Sequence, residues 1–207
     1  LTFERPSAHC SRAHGRACCA AHVLRGCGSW NPALNLVRYR TVGRSLAALA
    51  SLHGLQTVSG TVRRQLLANG VPEEKLFALP PYAPPPPESR QAPMSSLRTI
   101  LHVGGLIGQK GVWMVVRMVR DLPRDVQLVF AGGGREREML EAHVRRRGLS
   151  SRVRIVGEPT PDQWSLLYRE ANLVIMPVLW NEPLGLEGLG AMAHGKPVVA
   201  FETEGIR

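Results

Sequence analysis

From Thr99 onward, short apolar runs alternate with stretches whose apolar residues recur at helical spacing. The runs TILHVG (99–104), VQLVFAG (126–132), RVRIVG (152–157), NLVIMP (172–177) and PVVAF (197–201) have the length and β-branched content of buried strands. Between them, GVWMVVRMVRDL (111–122), REREMLEAHVRRRG (135–148), PDQWSLLYREA (161–171) and LEGLGAMAHG (186–195) predict helices. Thr160, Pro161 and Gln163 fit an N-cap, a first-turn proline and a capping-box partner. Five strands joined by four helices predict right-handed crossovers and an α/β fold with a doubly wound, Rossmann-like parallel sheet.

The pattern before Thr99 is shorter. Residues 33–52 have helix-compatible spacing, with Leu36, Val37, Leu46, Leu49 and Ala50 available for burial. LQTVS then reads as a strand, Ser59 caps the helix GTVRRQLLAN, Asn69-Gly70 ends it, and KLFALP reads as a second strand. The stretch PPYAPPPPESRQAP holds seven prolines in fourteen residues, which excludes helix and central strand and predicts a stiff, extended connection. Three parts are expected: residues 1–80, a linker at 81–94, and residues 95–207. A first residue other than Met and the stop at Ile206-Arg207 are read as marks of a longer protein, so the first part is expected to be incomplete and the last truncated.

Charge changes the picture at one end. The net charge is +10, and between Leu1 and Gly60 seven arginines (Arg5, Arg12, Arg16, Arg25, Arg38, Arg40, Arg44) face the single acid Glu4. Such a segment attracts anionic surfaces, whether lipid headgroups, nucleic acid or phosphorylated ligands. A solvated basic face is the plainer alternative. The four cysteines, Cys10, Cys18, Cys19 and Cys27, are interleaved with His9, His14 and His22. The C-x2-C pairs of common zinc modules are absent there, so an irregular loop with free thiols is expected and no metal site is assigned. No run reaches the roughly 20 apolar residues of a membrane span, and LTFERPSAHC lacks the apolar centre of a signal peptide, which sets the expected compartment as the cytoplasm.

Ligands of a doubly wound sheet bind beyond the carboxyl ends of its strands. Four unusual groups fall there: GGLIGQKG after the first strand, GGGRE after the second, GEPTP after the third and VLWNEPLG after the fourth. Glycines let backbone amides approach a ligand, and the helix that follows offers unpaired N–H groups at the positive end of its dipole. A phosphate or diphosphate is the natural guest, and Lys110 adds a full positive charge. Neither glycine cluster is a P-loop or a dinucleotide fingerprint. His102 is expected to be a core or sheet-face histidine, Trp113 and Trp164 packing residues, and His194 a helix-end residue.

The order VGGLIGQKG, LVFAGGG, VRIVGE and LYREANLVIMPVLWNEPLGLEGLGAMAHGKPVVA resembles the nucleotide-binding domain of family 4 glycosyltransferases, which have the two-domain GT-B fold. The resemblance covers residues 97–207 well and, through TVSGTVRRQLLANGVPEEKLFALP, residues 55–80 less specifically. It implies transfer of a hexosyl group from a nucleotide-diphosphate sugar to a glycan, lipid-linked or small-molecule hydroxyl, with retention of configuration and with neither metal nor cofactor. It also implies that Glu182 bonds the donor sugar and that Lys110 neutralises the departing diphosphate. Gly104, Gly105, Gly133, Gly157, Glu158, Leu184, Gly185, Leu186 and Glu187 complete the donor-binding set so implied. Two positions depart from the pattern: Gly105 stands where the family usually has Arg, and Gly190 stands where a second glutamate normally bonds the ribose. Glu187, three residues before Gly190 on the expected helix, is close enough in angle to point the same way and substitute for that glutamate; a partly buried helix carboxylate with some other partner is the equal alternative.

Two alternatives remain open on sequence alone. A non-catalytic nucleotide-sugar-binding homologue follows from Gly190 and Gly105. Nucleic-acid binding rests only on charge, since no recognition motif is evident and aromatic residues are few. On the enzymatic reading, the basic N-terminal segment rests on anionic lipid at the inner face of the membrane, where a lipid-linked acceptor is met.

Overall fold

A computed structural model describes residues 14–15, 31–79, 81–82, 97–203 and 205–206. The cysteine cluster, Arg5, Arg12, Arg16, Arg25 and most of the proline-rich stretch lie outside them. The chain divides into two compact units, Leu1–Pro81 and Tyr82–Arg207.

In the first unit, helix α1 (Pro32–Ser51) starts where Asn31 accepts bonds from the amides of Ala33 and Leu34 and Pro32 pre-sets the first turn. Strand β1 (Leu55–Thr57), helix α2 (Gly60–Ala68) and strand β2 (Leu76–Ala78) follow, with β1 and β2 paired in parallel. Ser59 caps α2 through the Val62 amide, as the sequence predicts. A single 3-10 turn at Glu73–Lys75 replaces the expected start of the second strand. Leu36 and Val37 are corrections: both are exposed, and α1 buries none of its residues. The physical reason is angular. Leu34, Leu36, Val37, Val42 and Leu46 spread around the whole helix circumference, so no apolar stripe exists to bury.

The second unit holds a five-stranded parallel sheet in the order β5-β4-β3-β6-β7. Its elements are β3 (Arg98–Val103), α3 (Val112–Met118), β4 (Val126–Ala131), α4 (Arg137–Arg146), β5 (Val153–Gly157), α5 (Pro161–Glu170), β6 (Leu173–Met176), α6 (Leu186–Ala193) and β7 (Val198–Ala200). Side chains alternate across the pleat. Leu101, Val103, Val129, Ala131, Val174 and Met176 point to the face covered by α5 and α6. Leu128, Phe130 and Ile175 point to the face covered by α3 and α4. The sheet is therefore doubly wound, and burial of these side chains, the larger ones contributing about 1.5–3 kcal/mol each, holds both helix layers. The capping box of α5 forms in full. Helix α3 stops at Met118, short of the expected Leu122, because Pro123 disfavours helical backbone at the residue before it and the Asp121 amide closes a turn on the Met118 carbonyl.

Strand β3 pairs with both β4 and β6. The chain runs outward from β3 to β4 and β5, then returns to the other side of β3 for β6 and β7. The direction of winding reverses between β3 and β6, which opens a crevice at their carboxyl ends.

Candidate functional site

Residues Gly104 to Gly111 leave β3 at that crevice and end in one 3-10 turn, Gly108–Lys110. Gly111 has φ +74° and lies against β6's exit, where a Cβ would collide with the Pro177 carbonyl. The amide of Leu179 donates to the Gln109 carbonyl at 2.7 Å, tying this turn to the loop between β6 and α6. Glu136 secures the other side by accepting from the Gly108 amide at 2.9 Å and from the Trp113 indole at 2.5 Å.

His102 supports the turn from below. Its Nε2 lies 2.9 Å from the Lys110 carbonyl, which can only accept, so Nε2 carries the proton. Nδ1 is then a buried lone pair without a partner. Burial holds the His102 pKa below the ordinary histidine value, against the bond to Lys110, which favours the charged form. The expectation of a core histidine holds for its burial, and its bond to the residue carrying the site's cation adds a positioning contact.

Lys110 is where the two loops meet. Its Nζ donates to Glu182 Oε2 at 2.8 Å and to Glu187 Oε1 at 2.8 Å. Burial works to lower the Lys110 pKa, but the hydrogen bonds and charge of the two carboxylates outweigh it and the ammonium sits above its ordinary value. Glu182 is buried on the loop after β6, and Glu187 occupies the first turn of α6. Gly185 precedes that turn in the left-handed region at φ +77°, and no side chain caps the helix. The backbone of Leu184, Gly185 and Leu186 therefore lies at an uncapped helix start beside the three charged groups.

The glycine loops close the same end of the sheet. Gly104 has φ +114°, and a Cβ there would sit 2.8 Å from Glu187 Oε1. Gly105 has room for a side chain, its nearest neighbour being Ile107. Gly132 packs on the Gly104 carbonyl so closely that neither strand exit tolerates a side chain in between. Next to it, the Gly133 amide donates to Glu158 Oε2 at 2.8 Å, and Gly157 at φ +82° lies against the Arg137 guanidinium. The structure thus gathers Lys110, Glu182, Glu187 and Gly104 in one place and forms a second pair, Gly133 with Glu158, beside them.

Glu187 has a partner of its own, and it and Gly190 face different neighbours. Glu187 faces Lys110, whereas a Cβ on Gly190 would sit 2.9 Å from the Tyr168 hydroxyl. Tyr168 comes from α5, stacks on His194 with ring centroids 5.0 Å apart, and donates to the Glu187 carbonyl at 3.0 Å. Burial, and to a lesser degree the Glu187 charge, push its pKa up to about 12. His194 accordingly works through its ring, bonding the Gly190 carbonyl through Nδ1 at 2.8 Å and lying 3.2 Å from Ser165 Oγ through Nε2.

Sequence reasoning overlooked Tyr168 and Glu136. The signal for Tyr168 was its place beside Leu167 on the apolar side of a capped helix, and for Glu136 an acid directly after a glycine run. Among the described residues no group of His, Cys, Asp and Glu is arranged to hold a metal, and no helix is long and apolar enough to cross a membrane.

Residues 88–207 match the family described as Glycosyl transferases group 1. An uncharacterized glycosyltransferase of Methanocaldococcus jannaschii is 37% identical over 111 residues, covering 53% of this chain and 28% of that protein. Alpha-D-kanosaminyltransferase of Streptomyces kanamyceticus is 33% identical over 110 residues, covering 52% of this chain and 28% of that protein. The matched stretch thus spans well under a third of these relatives' length. Among solved structures, Anabaena HepE in complex with UDP and glucose superposes with a TM-score of 0.64 at 19% identity, covering 77% of this chain and 48% of that one.

Proposed function

The chain belongs to the glycosyl transferases group 1 and has a fold of GT-B type, and on that premise we propose that it serves hexosyl transfer from a nucleotide-diphosphate sugar to a hydroxyl acceptor, with retention of configuration and without a metal. The observation that carries this reading is the junction of Lys110, Glu182 and Glu187 at the carboxyl ends of β3 and β6, where winding reverses. A fixed ammonium and the amides at the start of α6 stabilise charge that grows on a departing diphosphate, so they favour the transition state over the bound substrate. A carboxylate accepts two sugar hydroxyls at once, which is the role proposed for Glu182. Leu184, Gly185, Leu186, Gly104, Gly105 and the Gly133, Gly157 and Glu158 loops would line the phosphates and nucleoside. HepE's complex with UDP and glucose supports a uridine nucleotide as the first donor to test.

The proposed acceptor is a glycan or a lipid-linked saccharide of polysaccharide assembly on the cytoplasmic side of a membrane. Arg40 and Arg44 share one face of α1 and supply part of a basic surface for anionic lipid, with Arg38 on the other side of the helix. Binding to anionic vesicles that stays constant as salt is raised would remove that part of the proposal.

A second reading has its own observation: Tyr168 closes the side of α6 that Gly190 presents, so no carboxylate stands there. On this reading the chain binds a nucleotide sugar without turning it over. The test is incubation of the full chain with labelled UDP-, GDP- and ADP-sugars, with EDTA present, followed by NMR of the anomeric proton of any product. Transfer with retained configuration supports the enzyme, binding with neither transfer nor hydrolysis supports the second reading, an inverted product overturns retention alone, and no binding overturns the donor site.

A further inference from the structure

Lys110 already has two anionic partners, and the three charges together sum to −1. The two carboxylates are not equivalent. Glu182 is fixed: its side chain is 11% exposed, and its backbone carbonyl lies so close to Gly205 that a Cβ at that glycine would collide with it. Glu187 is less confined, with 22% of its side chain exposed. Its backbone is pinned by the Tyr168 hydroxyl, which leaves the side-chain torsions as the part free to turn. Its Oε1 also lies where a side chain on Gly104 would be, against bare backbone at φ +114°. That is the place between the glycine turn, the ammonium and the start of α6, where the Lys110 charge and the free amides of the helix start attract an anion and the Glu187 carboxylate opposes it.

We propose that Glu187 is an internal anion that competes with a diphosphate for Lys110. This rests on the donor-site reading above and adds to it a residue that sets donor affinity. A diphosphate bound at Lys110 would replace the Glu187 carboxylate on its ammonium, and the displaced side chain would turn toward the ligand's hydroxyls while its charge stays near the helix start. Glu182 keeps its own bond to Lys110 through the exchange. Glu187 therefore works against phosphate binding and for hydroxyl recognition, so ligands with and without a sugar respond to it in opposite ways.

Inorganic pyrophosphate isolates the first effect because it carries phosphate charge without hydroxyls. Its affinity is measured by calorimetry on the full chain, on Glu187→Gln, on Glu187→Asp and on Lys110→Met, each checked for folding by circular dichroism. Glu187→Gln removes one negative charge beside the ligand and should bind pyrophosphate about tenfold more tightly. Glu187→Asp keeps the charge but withdraws it from the ammonium, and should fall between the two. Unchanged or weaker binding by Glu187→Gln, with Lys110→Met still abolishing it, overturns the competition while leaving the donor site standing. If Lys110→Met binds pyrophosphate as the unaltered chain does, or if no variant binds it, the donor-site reading falls and this inference with it.

Discussion

Both units carry strand-helix-strand alternation, yet among the described residues only those of the second enclose a core. In Leu1–Pro81, β1 and β2 form a parallel pair and the buried residues among those described are Thr57, Thr61, Val71 and Leu76. In Tyr82–Arg207, five parallel strands put apolar residues on both faces and helices cover each. Parallel sheets need covering on both faces, and two strands offer too little area for helices to pack upon. A βα pattern therefore states which elements form, and strand number decides whether their side chains are removed from water.

The sharpest way to break this comparison is to truncate matched apolar residues. Phe130→Ala, fully buried between the sheet and α3, should cost about 3–5 kcal/mol in chemical denaturation. Leu36→Ala on α1 should cost under about 0.5 kcal/mol, since its side chain is already in water. Equal costs would mean that α1 is covered in solution.

Glycines give the next contrast. Gly111 and Gly70 both have positive φ, +74° and +83°, but a Cβ at Gly111 would strike Pro177 while nothing lies within 4 Å of one at Gly70. Gly111→Ala should cost roughly 3 kcal/mol and weaken pyrophosphate binding, because the turn carrying Lys110 must move. Gly70→Ala should cost only about 1 kcal/mol, the backbone strain alone. Loss of stability at Gly111 without loss of binding would detach Lys110's position from this turn.

Much of the second unit was legible in sequence because its signals agree across levels. The strands at 99–104, 126–132, 152–157, 172–177 and 197–201 were placed within a residue or two, since each is short, apolar and bounded by turns. A doubly wound parallel sheet was expected, but the strand order, which brings the loops after β3 and β6 together, came from the structure. Lys110 was named from its glycine loop and Glu182 through the family resemblance, but their direct bond, 72 residues apart, belongs to the tertiary fold. Local angle failed at Gly190, where the neighbour comes from α5: helix spacing describes one element, and Tyr168 reaches in from another. It failed on α1 for the opposite reason, since helical spacing was present without a single apolar face.

Alkaline titration sharpens the contrast further, because Tyr168 and Lys110 lie in the second unit. Both hold their protons longer in the folded chain than in the unfolded one, from ordinary values of 10.0 and 10.5. Their contribution is fully present below about pH 10 and is lost as pH rises toward and beyond 12, as the unfolded chain releases these protons first. Tyr168 alone should account for roughly 2–3 kcal/mol across that window. Thermal melting from pH 9 to 12 should show the decline, and Tyr168→Phe, which keeps the ring against His194, should flatten part of it. An identical slope in that variant would remove Tyr168 as its source.

The smallest effects test whether the units differ in local structure at all. Ser59 and Thr160 cap α2 and α5 in the same way, each accepting from the amide three residues on. Replacing either by Ala removes one side-chain bond to an otherwise orphaned amide and should cost about 1 kcal/mol. The cost should surface differently. Loss of the Thr160 cap should lower the stability of the whole second unit, because α5 is joined to its core through Leu167 and Tyr168. Loss of the Ser59 cap should speed amide exchange within α2 alone, since Thr61 is the only residue that helix buries. If exchange quickens equally across each unit, the first is as cooperative as the second, and strand number is not what separates them.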